Sequence, residues 1–400
     1  MEKHRVIKKG NDFPLLLACV ILLLNGVASF AYAAWDGGAN SPSLWALFAT
    51  NFVFFLGLTQ TGMVFSAIMR LAKSEWARYF TRLGEILTLA YAPFAFIFFI
   101  IIYFGGTGHL FYWAKPVAEA HGEGHRALSP WLGKDLFLWR NIILMALYYV
   151  MSYIYFRAAR DEERYEHGSV PDGFQYKINF MAALVLAFYV LINTNISWDF
   201  GMMIIKHWES SIHPPYWWVG NVYGGAAFLF LMSLYFVYNR GGRQVSRWHL
   251  NAYGMFLIGL TLLWTYMYWS QHVVMWYGDL PELTRPLFKQ RTGSYAPLFI
   301  VMMFLLLIIP FLSLLFKKVK SCVGSLIVLT VLICLGVWLN RYLMILTVFE
   351  DAPTSLATWT NLSLFLAGLG SAVLPVMAFV RLFPNVPVTT EPEAEENSGH

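Results

Sequence analysis

Ten long, predominantly apolar runs recur along this 400-residue chain, at 13–35, 44–69, 83–105, 135–156, 178–199, 216–239, 248–277, 295–316, 321–349 and 358–380. A helix needs about 20 such residues to cross the hydrocarbon of a bilayer, where every backbone polar group must be satisfied internally. With 58% hydrophobic, 18% aromatic and 13% charged residues, the chain is too apolar for a soluble globule. The sequence predicts an all-α integral membrane protein with ten transmembrane helices and the lipid bilayer as its first partner.

The 28 Lys and Arg residues set the expected orientation. Nineteen fall in the amino-terminal tail and alternate loops, from Lys3, Arg5, Lys8 and Lys9 through Arg157 and Arg160 to Lys317, Lys318, Lys320 and Arg381. Seven fall in the other loops, and Arg140 and Arg341 lie within helices. By the positive-inside rule both termini are cytoplasmic and the loop after Tyr277 faces outward. The net charge of +5 is thereby a topogenic signal, which leaves no reason to expect a nucleic-acid partner.

The opening MEKHRVIKKG and its apolar run read as a retained first helix, because the run is too long for the core of a secretory signal. Cys19, Cys322 and Cys334 form no CxxC or CxxCH, so neither an iron–sulfur cluster, a covalent haem nor a disulfide framework is predicted. His121 and His125, in HGEGH, read as a solvated pair rather than a metal site. A di-haem bundle needs four axial histidines, whereas only His272 lies well inside a span. His249, 23 residues earlier on the same helix, is roughly 35 Å away. No cofactor is expected to be bound by this chain. From Pro384 the polar, acidic tail predicts disorder.

An ionisable group inside the bilayer costs at least about 2.5 kcal/mol, so each needs a reason to be there. Glu85 sits one turn inside its boundary, three residues after Arg82, which suggests an interfacial salt pair. Thr88 on its helix and Gln60 on the neighbouring span would extend it into a polar track. Towards the outer end, Asn195 and Asp199 are four apart on one helix face, with Arg140 and Arg341 at similar depth. One reading is a charge pair that holds helices together. The other is a proton pathway, with Asp199, Asn195 and His272 at its outer end, Glu85, Gln60 and Thr88 at its inner end, and Arg140 and Arg341 tuning the carboxylate.

The stretch WTYMYWSQHVVMWYGDLPELTRPLFKQRTGSYAP, 264–297, carries an aromatic belt into a charged turn. Trp269, His272 and Trp276 share a helical face and form a candidate quinone contact, although such a stripe is more often an interfacial anchor. Asp279 and Glu282, with His207 and Glu209 on the preceding outer loop, make a charged rim suited to docking partners.

The run WxYxxWSQxxxxWYGDLPE, 264–282, with WDFGMMIIKHW at 198–208 and WLNRYL at 338–343, resembles ActF-type subunits of alternative complex III, in the NrfD (polysulfide-reductase membrane-subunit) family. The resemblance covers most of the ten spans; it departs at Leu283, where a second acidic residue is expected, and at Lys206. It implies two four-helix bundles, 44–200 and 201–350, flanked by a first helix within 1–43, a tenth within 351–383 and the tail 384–400. It further implies a subunit of a quinol-oxidising electron-transfer complex in a bacterial cytoplasmic membrane. Such a subunit lies beside a homologous quinol-binding membrane subunit, beneath multihaem cytochrome c and iron–sulfur subunits on the outer face, with quinol as a possible ligand. Proton-coupled secondary transporters and pure membrane anchors are the rival classes. The uncharged middle of the bilayer argues against the first, and the buried Arg140, Arg341 and Glu85 against the second.

Overall fold

The computed structural model describes residues 13–36, 41–114, 130–163, 165, 171–206, 208–240, 245–349, 358–383 and 386–389. All secondary structure among them is helical, and ten helices are long and apolar enough to cross a membrane. In chain order these are α1 (Phe13–Trp35), α2 (Pro42–Leu71), α3 (Glu75–Leu110), α4 (Lys134–Glu162), α5 (Asp172–Met202), α6 (His213–Val237), α7 (Arg247–Gly278), α8 (Gly293–Leu315), α9 (Val323–Leu346) and α10 (Trp359–Leu382).

α2 and α6 form the centre and are buried almost throughout. A helix that is apolar all round belongs inside a bundle, and α2, with LWALFATNFVFFLGL, is of that kind. α2 packs on α3, α5, α6, α9 and α10, and α6 also on α7 and α9. α4 pairs with α5, α8 with α7 and α9, and α1 mainly with α10. Small residues set the closest approaches, as membrane helices require when no hydrophobic effect drives them together. A Cβ on Gly62 would come 2.2 Å from the Gly84 carbonyl oxygen, so α2 and α3 cross backbone to backbone there. The Thr88 hydroxyl enters the same crossing. It donates to the Thr59 carbonyl at 2.7 Å and accepts from the Met63 amide at 2.8 Å, bridging two groups that ordinarily bond each other within a helix.

Two ends of the bundle are defined by ion pairs that join helix termini. At one end Arg70 of α2 meets Glu162 of α4 at 2.6 Å and Arg82 of α3 meets Glu163. At the other, Arg140 of α4 meets Asp199 of α5 and donates to the Trp131 carbonyl. These are called below the Glu85 end and the Asp199 end.

One expectation is corrected here. The charged segment after Tyr277 is not an extended turn: Asp279 takes a left-handed conformation (φ 42°) that ends α7, and Pro281–Arg291 forms a rim helix. Pro281 in its first turn, Glu282 beside it and Lys289 and Arg291 in the last turn suit a helix and its dipole. Of the tail from Pro384, for which disorder is expected, residues 386–389 are described. Val386 and Val388 are buried against the core and the Thr389 hydroxyl donates to the Arg78 carbonyl, because two alternating valines precede the first acidic residue. The rest of the tail, His121 and His125, and His207 lie outside the described residues.

Candidate functional site

At the Asp199 end, the final turn of α5 widens into a π-helical turn over Trp198–Met202, a local defect common at functional sites. It turns Asp199 inward to complete burial. Arg140 donates to both carboxylate oxygens, through Nη2 to Oδ1 and through Nε to Oδ2 at 3.4 Å. Asn141 donates to Oδ2 at 2.7 Å and Asn195 to the same oxygen at 3.2 Å; Asn195 also donates to the Asn141 Oδ1 at 2.9 Å. The Arg140 guanidinium lies 4.4 Å from the Trp131 ring. Charge and lone pairs are thus satisfied inside the protein, which a buried ion pair requires if it is not to destabilise the fold.

At the Glu85 end, the expected pair of Arg82 with Glu85 is found, and the ends of α2 and α4 close over it. Arg82 Nη1 donates to Glu85 Oε2 at 2.6 Å and the Ser66 hydroxyl donates to Oε1 at 2.6 Å. Ser66 lies 3.2 Å from the Tyr155 hydroxyl. Thr88 does not touch this carboxylate, since its hydroxyl is committed to α2.

One face of α4 joins the two ends. Asn141, Tyr148, Ser152 and Tyr155 are all buried, at i, i+7, i+11 and i+14. Asn141 binds Asp199, Tyr148 donates to the Gln60 carbonyl at 2.7 Å, and Tyr155 reaches Ser66 and through it Glu85. From Asn141 to Tyr155 is roughly 21 Å of helix. Met145 is the apolar member of the same face, one turn from Asn141.

A second cluster branches from Gln60. Asn193 of α5 donates to the Gln60 Oε1 at 2.9 Å, Asn221 of α6 to the Asn193 Oδ1 at 2.9 Å, and Arg341 of α9 to the Asn221 Oδ1 at 3.0 Å. Arg341 also donates to the Trp217 carbonyl at 2.6 Å and to the Asn340 Oδ1 at 3.2 Å, and Asn340 donates to the Tyr216 hydroxyl at 2.7 Å. The expected meeting of Arg341 with Asp199 is therefore not found: α9 packs on α2 and α6, which turn the guanidinium towards the Asn221 side of the bundle.

His272 does not join Asp199 either. Its Nδ1 lies 2.6 Å from the Tyr268 carbonyl oxygen, which can only accept, so Nδ1 carries the proton and Nε2 keeps a lone pair. His272 lines a small, water-sized cavity with Gly201, His213, Tyr216, Gln271 and Gln290. Trp269 and Trp276 do not enclose it; they are 65% and 72% exposed on the outer side of α7. Gly201 is required where it stands, because a Cβ there would lie 2.3 Å from His213 Nε2. At the rim, Asp279, Glu282 and Glu209 are exposed. Trp208 ties the preceding loop to the rim helix by donating to the Leu283 carbonyl at 3.0 Å.

Among the described residues no three His, Cys, Asp or Glu side chains cluster as metal ligands. Neither a protein-family model nor a curated protein matches this chain, so the roles of these residues rest on their own geometry.

Proposed function

We propose that this chain is the NrfD-type integral subunit of a quinol-oxidising electron-transfer complex and that it supplies a proton pathway through the membrane. On this reading α2–α5 and α6–α9 are the two four-helix bundles, α1 and α10 the extra helices, both termini are cytoplasmic, and the membrane is a bacterial cytoplasmic membrane. The contact of α1 with α10, away from the centre, suits that grouping. The rim residues Asp279, Glu282 and Glu209 would then dock the outer subunits that carry haem c and iron–sulfur clusters, beside a homologous quinol-binding membrane subunit. Any quinol contact by this chain would fall on the α7 surface around Trp269, His272 and Trp276, since the cavity beside His272 is only water-sized.

The observation that carries the reading is the buried polar face of α4, with a carboxylate held at each end. Hydroxyls can pass protons by rotation, and chains of acidic and hydroxyl groups inside a bundle are the usual relay. Glu85, Ser66 and Tyr155 form the inner segment; Ser152, whose hydroxyl has no hydrogen-bond partner, and Tyr148 lie beyond them on the same face, and Asp199, Asn141 and Asn195 form the outer segment. Gln60 and Thr88 hold the helix crossing beside the relay, and Arg140 holds the outer carboxylate. The unpartnered Ser152 hydroxyl and the dry turn at Met145 are the places where a rearrangement driven by the redox partners would make or break continuity. Arg341 is reassigned to the branch that leaves Gln60.

In proteoliposomes containing the whole complex, Asp199→Asn should leave assembly intact and lower the protons delivered per electron. Unchanged proton output removes Asp199 from the route. Extraction in mild detergent tests the partners: haem- and iron–sulfur-bearing polypeptides should come with the chain, and a lone chain active in proton-coupled uptake would sink the assignment.

A further inference from the structure

The two buried guanidiniums away from the Glu85 end differ in one respect that bears on where protons can go. Arg140 has a carboxylate. Arg341, wholly buried, is held by a backbone carbonyl, two asparagine oxygens, the Met344 sulfur and the Trp217 ring at 3.9 Å from its carbon, and none of its partners carries negative charge. None of the ion pairs among the described residues includes it.

Its surroundings are rich in donors without acceptors. Arg341 Nε, Trp217 Nε1 and Trp264 Nε1 are buried and have no hydrogen-bond partner, and the same is true of both ring nitrogens of His213. The His213 ring lies 5.7 Å from that of Trp217, and His213 is 2% exposed. It faces the water-sized cavity at the Asp199 end, where Gln271 also presents a buried, unpartnered Oε1. From Arg341 in the other direction, Asn221, Asn193 and Gln60 lead to Tyr148 on the α4 face. Tyr216, which lines the same cavity as His213, accepts from Asn340, and Asn340 accepts from Arg341, so a polar branch runs from the cavity through these residues to the middle of the α4 face, with an uncompensated cation at its midpoint.

Such a branch would short-circuit any gradient that the α4 route builds, unless something closes it to protons while leaving its hydrogen bonds in place. A fixed guanidinium does this in membrane pores, because an incoming positive charge is repelled in a medium of low dielectric. We propose that Arg341 is an electrostatic plug, which keeps the branch between the His213 cavity and the α4 face closed to protons. The plug rests on the reading of α4 as a proton route, yet its test needs no redox partner.

The measurement is passive proton entry into proteoliposomes after an external pH jump, with the protein reconstituted in the assembly in which it is extracted. Asn340→Asp places a carboxylate next to the retained guanidinium and neutralises it without removing packing; entry should rise roughly tenfold or more. Arg341→Gln should do the same, and adding His213→Phe to it should restore the parental rate by filling the cavity end of the branch. The plug is overturned if Asn340→Asp leaves entry at the parental rate, or if the leak of Arg341→Gln ignores His213→Phe, which would mark it as damage to the fold. Should Arg341→Gln fail to fold, Asn340→Asp decides alone. A leak in these variants together with unchanged proton output in Asp199→Asn would keep the plug and discard the α4 carboxylate route.

Discussion

Arg140 and Arg341 are two guanidiniums sunk in the same membrane protein, each lying over an indole, at 4.4 and 3.9 Å. The first is closed into a neutral unit by Asp199, with Asn141 and Asn195 filling the remaining lone pairs. The second is solvated by amides and a carbonyl and keeps its charge. The contrast separates two uses of a buried charge. A neutral ion-pair cluster presents no net charge to a proton that approaches it, whereas an uncompensated cation opposes every cation that approaches it.

Breaking the neutral unit should have the largest effect. Asp199→Leu strands Arg140 without a carboxylate and should cost about 3–5 kcal/mol, read as a fall in thermal unfolding temperature in detergent or as loss of extractable folded protein. Asp199→Asn should be far milder, because Arg341 is already held without a carboxylate, by carbonyl and side-chain amide oxygens, a sulfur and an indole. Equal stability of Asp199→Leu and the parent would mean that the pair does not hold α4 to α5.

Next in size is Asn221→Leu, which removes an acceptor from Arg341 and leaves the Asn193 Oδ1 unsatisfied; about 1–3 kcal/mol should be lost in the same unfolding assay. A loss as large as that of Asp199→Leu would erase the distinction between the two clusters. Tyr148→Phe deletes one hydroxyl from the α4 face and should cost about 0.5–1.5 kcal/mol, together with a clear fall in protons per electron; an unchanged ratio would take Tyr148 out of the relay. Smallest in its combined effect is Glu162→Ala. Its pair with Arg70 is only about a fifth exposed on both sides, so some desolvation cost is released with the lost attraction, and unfolding should shift by about 1 kcal/mol, less than for the wholly buried Asp199 pair, with proton output unchanged.

Parts of this arrangement are visible in the one-dimensional pattern. Asn195 and Asp199 are one turn apart, and they do bond. Asn141, Tyr148, Ser152 and Tyr155 repeat at helical spacing, so the polar face of α4 could have been found by periodicity; two tyrosines disguise it, because their rings read as apolar. Nothing in the sequence says that Arg341 faces Asn221 and not Asp199, or that Thr88 belongs to the backbone of α2 and not to Glu85. Those partners depend on how far each helix is rotated and raised against its neighbours. That is settled by close crossings such as Gly62 on Gly84 and Gly201 against His213.

The amino-acid order alone determined the ten spans, the all-helical membrane class and the presence of polar groups too costly to leave in lipid, because hydropathy and the need to satisfy the backbone act on each segment separately. Only the packed bundle decided which of those groups meet, since a partner across two helices is chosen by rotation and depth, quantities that no single segment carries. It decided as well that one arginine is neutralised and the other is not.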